Sequence, residues 1–439
     1  MSTRTITVGA AIAVWVTLLV PGFVPVEFER QTATFLPAEL SAYAVKRTCI
    51  SDGRIGVPAP ANLTAAAILV ADADSGEILY ERNADESRAP ASITKLFTMN
   101  RILEALENGD LTEGDWYPVP PESFASRMEP DSSLMFLGPN QRVTVDDILS
   151  GLAVASGNDA AVAAAVLVAG SVAGFMDEVN ANLDVLGFFD TLLVEPSGIS
   201  AENRTTARDL AMFGRYITLR WPDTFSAVLA RREFSFPRRE NMVVTGGEDA
   251  PGAVIQRNRN SLLWEYEGTD GMKTGYIDES GYNLIARARR NGRTLIVVLM
   301  GIDATDHQEG GRIRSREAIA LFDWAFDNFV SLQLSFPDPG GLDVAGSRTD
   351  ITVFPGIDPV LTVPAGTTER LEGRVEVDEQ IWAPIQKGET LGKVVYRIDG
   401  CTVLSVPLVA SATIDGVDPA SLWLDRYRTR VTMWLAGNN

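Results

Sequence analysis

Pro90-Ala91-Ser92-Ile93-Thr94-Lys95 stands where a strand-forming region gives way to a long helical one. A helix that begins here sets Ser92 and Lys95 one turn apart on one face, so hydroxyl and amine meet. Serine is a poor nucleophile until a base takes its proton. A buried lysine serves once desolvation and nearby positive charge lower its pKa. Taken alone, an S-x-x-K match arises often by chance and marks a helix start with a solvated lysine. Two further motifs lie downstream. Ser156-Gly157-Asn158 is a polar triplet between apolar helical stretches. It reads either as a helix N-cap or as a proton relay, Ser156, beside an amide, Asn158, that holds Lys95 and a substrate amide. Lys273-Thr274-Gly275, after Gly271-Met272 and before Tyr276, falls on a strand. There lysine supplies charge, threonine a hydrogen bond and glycine a close backbone approach to an anionic ligand. Taken singly, it is an exposed strand with a solvated lysine.

Outward from these motifs the pattern is strands, helices, strands, helix. Residues 65–71 and 77–80 flank the turn Asp74-Ser75-Gly76 as a hairpin. Helical segments run from Ser92 to about Thr218, and the all-small or aliphatic stretch 160–169 reads as a buried helix. Strands return at 283–288 and 294–300, joined through Asn291-Gly292. A helix over 316–329 follows. This order is α+β rather than a βαβ repeat. Pro337-Asp338-Pro339-Gly340-Gly341 reads as a linker. Beyond it, short strands at 350–354, 360–363, 371–377, 394–397 and 402–408 alternate with Gly- and Pro-rich turns, a small all-β domain. From Asp418-Pro419, Trp423, Tyr427, Val431 and Trp434 recur at helical spacing. That helix either packs on its own domain or lies in a membrane interface, its arginines near lipid phosphates.

The chain has 439 residues, 38 Lys+Arg against 58 Asp+Glu, a formal charge of −20. That balance argues against a nucleic-acid binder. With 46% apolar and 22% charged residues, wholesale disorder is excluded. His307 is the only histidine, so an imidazole-based nucleophile must use it, and a zinc site of several histidines is excluded. Among Asp303, Asp306 and Glu309 it reads as a surface residue. Cys49 and Cys401 lack C-x-x-C spacing and form either one long-range disulfide or two free thiols. Arg4, an uncharged apolar run over 6–20 and charged residues from Glu27 read as a secretory signal or uncleaved signal anchor.

The three motifs occur in the order of the S-x-x-K, S-D-N and K-T-G set of serine β-lactamases and penicillin-binding proteins, with S-G-N in the middle place. The sequence closely resembles the low-molecular-mass penicillin-binding proteins that act as D-alanyl-D-alanine carboxypeptidases. Beyond the motifs, the resemblance includes Asp74-Ser75-Gly76, Ser133-Leu134-Met135-Phe136-Leu137, Thr206-Ala207-Arg208-Asp209 and Arg314-Ser315-Arg316-Glu317-Ala318. It implies a β-lactamase-like α+β catalytic domain, an antiparallel sheet with helices, over 45–336. A leader over 1–44 precedes it. A β-sandwich-like domain over 342–416 and an amphipathic membrane-interface helix over 418–439 follow. The implied reaction removes the terminal D-alanine of peptidoglycan stem pentapeptides through an acyl-enzyme on Ser92. Lys95 is the base and Ser156 the proton relay. Asn158, Lys273, Thr274, Gly275, Tyr276 and Arg314 bind substrate, with Arg312 and Arg316 competing for the last place. The backbone N–H groups of Ser92 and Tyr276 form the oxyanion hole. Glu195 is a candidate for activating the deacylating water, although Lys95 is the preferred base for both half-reactions. No cofactor or metal is implied. Penicillin is an expected ligand, and the expected location is the periplasmic side of the bacterial cytoplasmic membrane. DD-endopeptidase, β-lactamase and non-hydrolytic peptidoglycan-binding readings remain as alternatives.

Overall fold

Strand β1 (Ala67–Asp72) is buried along its whole length, and its side chains divide between two apolar clusters. Ile68 and Val70 join one, Leu69 and Ala71 the other. The computed structural model that shows this describes residues 48–243, 252–336, 339–345, 347, 349–356, 359–377 and 381–416. The expected leader and the 418–439 helix lie outside the described residues. β1 pairs with β2 (Ile78–Arg82), and three later strands complete the sheet: β3 (Thr269–Ile277), β4 (Gly281–Arg290) and β5 (Arg293–Ile302). The order is β2-β1-β5-β4-β3, every neighbour antiparallel, with β3 at an edge. Asn291 and Gly292 both have positive φ, the requirement of the tight turn that matches strand twist between β4 and β5.

Both faces of the sheet are covered, which explains the unbroken apolar run of β5. Ile296, Val298 and Met300 face one cluster, and Leu295, Val297 and Leu299 the other. Helices α1 (Lys95–Asn108), α2 (Asn158–Ala169), α3 (Val172–Leu186) and α4 (Ala207–Arg220) contribute to the first cluster. In α2, five buried alanines let its neighbours approach closely. Helix α5 (His307–Asn328) covers the opposite face with Ala318, Leu321, Phe322 and Ala325. It starts nine residues before the position that apolar spacing indicates, because Asp306 caps it by accepting from the Glu309 N–H at 2.8 Å. Gly310-Gly311 and the surrounding charges hide that first part from a periodicity reading. Arg314 is therefore on α5 rather than ahead of it.

The β-rich remainder begins at the end of α5. Its longer strands are β6 (Phe329–Gln333), β7 (Val353–Pro355), β8 (Val360–Pro364), β9 (Leu371–Val377), β10 (Thr390–Ile398) and β11 (Cys401–Ala410). β6 pairs with β8, and β7-β11-β10-β9 form a four-stranded antiparallel sheet. Cys49 and Cys401 form a disulfide, with Cα atoms 6.4 Å apart.

Candidate active site

Ser92 lies in a single 3₁₀ turn (Ala91–Thr94) that runs straight into α1. Two glycines from distant segments close on this turn. A Cβ on Gly275 of β3 would meet the Pro90 carbonyl oxygen at 2.6 Å and the Ser92 nitrogen at 3.2 Å. A Cβ on Gly198, whose φ is +82°, would lie 1.9 Å from the Ala91 carbonyl oxygen. Gly275 therefore lets the edge strand lie against the serine turn, a contact with the protein's own backbone rather than the ligand approach read from the motif.

Lys95, the first residue of α1, is fully buried. Its Nζ is 3.0 Å from Ser92 Oγ, 2.8 Å from Asn158 Oδ1 and 2.5 Å from the Ser197 carbonyl oxygen. The last two atoms only accept. A neutral amine with two N–H groups satisfies both and turns its lone pair to the Ser92 hydroxyl. Burial is the main cause that lowers Lys95 to about 7; Glu195 and Asp159 act against it, and Arg259 with it. Lys273 is also buried, and its Nζ donates to Ser156 Oγ at 2.9 Å and to the Thr274 carbonyl at 3.1 Å. Desolvation first, then the charges of Lys95, Arg259 and Arg314, hold it well below the usual lysine range.

Ser156 has φ +57° and follows a π-helical turn (Gly151–Ala155), a local widening that recurs at functional sites. Asn158 opens α2, and its backbone N–H donates to the Ser133 carbonyl at 2.8 Å. Asp159 accepts from the N–H groups of Met135, Phe136 and Leu137 at 2.8–3.0 Å, fixing the loop whose Ser133 lines the cleft. Neither Ser156 nor Asn158 serves as a side-chain cap of α2, since Gly157 is the N-cap residue.

Ser92, Ser156, Thr274, Gly275, Tyr276 and Arg314 line one cleft of about 1230 Å³. Arg314 Nη1 donates to the Asn283 carbonyl of β4 at 3.3 Å, and burial draws its guanidinium down to about 10. Arg312 and Arg316 also border the cleft. The Arg316 side chain is 63% exposed and turns toward Glu317. His307 is exposed as expected, yet it stands at the cleft mouth, its Nδ1 3.0 Å from the Tyr282 hydroxyl and its ring 4.7 Å from that of Tyr276. It does not replace Lys95 at Ser92. Glu195 spends both oxygens on its own loop.

Two contributors escape a sequence reading. The Ser197 carbonyl is a backbone atom in Glu195-Pro196-Ser197-Gly198. Arg259, in Asn258-Arg259-Asn260, borders the cleft and depresses both lysines. No motif marks it. Among the described residues no cluster of His, Cys, Asp or Glu has the makings of a metal site.

A serine activated by lysine, beside a second lysine on an edge strand, defines the active-site-serine class that includes penicillin-binding proteins and serine β-lactamases. Comparison with known proteins narrows it. The family described as D-alanyl-D-alanine carboxypeptidase matches residues 55–304, and the penicillin-binding protein 5 C-terminal domain matches 343–415. The D-alanyl-D-alanine carboxypeptidase DacA of Haemophilus influenzae is 32% identical over 84% of this chain and 89% of its own. DacA of Escherichia coli is 31% identical over 80% and 84%. The solved penicillin-binding protein 5 of Haemophilus influenzae superposes with TM-score 0.73 at 31% identity, covering 82% of this chain and all of that one. Penicillin-binding protein D2 of Listeria monocytogenes, solved in its cefotaxime-bound form, matches with TM-score 0.51 at 25% identity over 61% of this chain and 100% of that one. The chain belongs to the D-alanyl-D-alanine carboxypeptidase family and is a serine-type peptidase of that family.

Proposed function

We propose that the protein removes the terminal D-alanine from peptidoglycan stem pentapeptides through an acyl-enzyme on Ser92. The contact that carries this reading is Lys95 Nζ at 3.0 Å from Ser92 Oγ. Lys95 takes the hydroxyl proton as Ser92 attacks the penultimate carbonyl. The backbone N–H groups of Ser92 and Tyr276 receive the oxyanion, and one such donor contributes about 3 kcal/mol. Ser156, bonded to Lys273, relays the proton from Lys95 to the leaving amine, so that D-alanine departs and Lys95 is neutral again. Lys273, Thr274 and Arg314 attract the terminal carboxylate, Asn158 orients Lys95 and the substrate amide, and Gly275 lets β3 lie against the serine turn. Water resolves the acyl-enzyme with Lys95 again as base. A β-lactam mimics the D-Ala–D-Ala end and acylates the same serine.

The test uses a fluorescent penicillin and a diacetyl-Lys-D-Ala-D-Ala peptide. Labelling and D-alanine release are both expected to vanish in Ser92→Ala. Labelling without D-alanine release would redirect the assignment to a cross-link or another peptide. No labelling of the folded wild type would sink the acyl-enzyme.

The location is proposed on sequence pattern: export by the N-terminal apolar run, with the 418–439 helix in the outer interface of the cytoplasmic membrane. Among the described residues no single helix is long and apolar enough to cross a membrane. Release of the protein from membranes when 418–439 is deleted would support this placement, and unchanged fractionation would reject it.

A further inference from the structure

Glu195 has no part in the scheme above. We infer that Glu195 is a positioning residue for Lys95: its carboxylate folds the 195–203 loop so that the Ser197 carbonyl meets the Lys95 amine. The inference rests on Lys95 being the base for Ser92.

The carboxylate gathers five donors. Oε2 accepts from the Ser197 N–H at 2.7 Å and the Ser197 hydroxyl at 2.6 Å. Oε1 accepts from the Gly198 N–H at 2.6 Å, Asn203 Nδ2 at 3.0 Å and the Ser200 N–H at 3.3 Å. Two oxygens offer about four lone-pair sites. None is left to polarise a water, so the role a class A β-lactamase gives its glutamate is not available here. What the five bonds do is bend the loop back on itself. The bend delivers two consecutive carbonyls to α1: Pro196 accepts from Thr98 Oγ1 at 2.7 Å and Ser197 from Lys95 Nζ at 2.5 Å. Asn203 Nδ2 also reaches Thr94 Oγ1 at 3.2 Å, which ties the loop to the turn that carries Ser92. Gly198 then fits against the Ala91 carbonyl, where no side chain is tolerated. The amine that must face Ser92 is thus aimed by a loop whose shape depends on one carboxylate.

The charge adds a second consequence. Glu195 is the largest influence that favours the protonated form of Lys95. Without it, Lys95 stays neutral, and so competent as a base, to lower pH.

The experiment follows penicillin acylation and deacylation rates of the full chain from about pH 5 to 9, bracketing the Lys95 titration. Wild type, Glu195→Gln, Glu195→Asp and Ser92→Ala are compared. In Glu195→Gln the acid limb of acylation should move down by about one pH unit. The plateau should fall about tenfold as the loop loosens. Glu195→Asp keeps the charge on a shorter arm, so its limb should stay in place while the plateau falls. If the glutamine variant does not fold, a lowered plateau with an unmoved limb in Glu195→Asp still supports the role, and wild-type rates overturn it. Normal acylation with arrested deacylation in Glu195→Gln would overturn it in favour of water activation. In Glu195→Gln, a lower melting temperature with an unmoved limb would leave Glu195 a loop residue only, and also overturns it. Labelling that persists in Ser92→Ala would instead remove the acyl-enzyme reading beneath it.

Discussion

Lys95 is the residue on which the chemistry turns, because burial has to make a base of a group that is normally charged. With a pKa of about 7, acylation should rise tenfold per pH unit below that value and level off above it. Arg259 pushes the same pKa down. Replacing it by an uncharged residue of similar length, Arg259→Met, should raise the Lys95 pKa, because the protonated amine loses a repelling neighbour. The acid limb of penicillin acylation should therefore move to higher pH, opposite in sign to the shift expected for Glu195→Gln. A limb that stays in place would show that Arg259 does not act through Lys95. This pairing also shows where a sequence is readable. Ser92 and Lys95 are one helical turn apart, so local spacing alone brings them together. Lys273, Asn158 and Ser156 are recognisable as residue types in short motifs. Arg259 and the Ser197 carbonyl act across the fold and carry no local mark.

Among the elements, the edge strand β3 and the turn at Ser92 must approach each other more closely than side chains normally permit. Gly275 makes this possible, since its missing Cβ would overlap the Pro90 carbonyl. In Gly275→Ala the strand has to retreat from the serine by a few tenths of an ångström or more. Penicillin acylation should then fall about 100-fold, the usual effect of misplacing reacting groups. The sheet around β3 is otherwise unaltered, so the melting temperature should change far less than on a core truncation. Acylation within twofold of wild type would show that the approach tolerates a methyl group. Elements with a strong local signature were legible: the β4–β5 hairpin with Asn291-Gly292, the alanine-rich α2, and strand β9, whose limits coincide with those read from sequence. The first half of α5 was not, because its helical face is made of Gln308, Gly311, Arg312 and Ser315, which line the cleft instead of a core. A helix that serves a site lacks the apolar stripe by which helices are recognised.

At the scale of the whole molecule, a chain of charge −20 gathers basic groups at one place, where Arg259 and Arg314 border the cleft beside the buried Lys95 and Lys273. That local reversal of sign suits a substrate ending in a carboxylate. The catalytic part is also tied firmly to the β-rich part. Ser331 Oγ donates to the buried Asp72 at 2.9 Å, and Thr362 Oγ1 meets both Ser331 and Ser75 at 2.9 Å. Opposite chain ends are joined by Cys49–Cys401, 352 residues apart in sequence. Sequence left their pairing open, since two cysteines this far apart carry no geometric information until the fold is known. Closing so long a loop restricts the unfolded chain far more than the folded one, and such a bridge typically contributes about 2–5 kcal/mol. Cys401→Ser should therefore lower the melting temperature measurably, and reductant should lower the wild type to match while leaving the variant unchanged. Neither cysteine borders the cleft. The kcat/KM for D-alanine release should thus stay within about twofold of wild type at temperatures below the transition. A variant that melts like wild type would show that the polar seam holds the two parts without the bridge. A variant that stays folded but loses activity would show instead that the bridge reaches the site, through β1, β5 and β4 to the edge strand that carries Lys273.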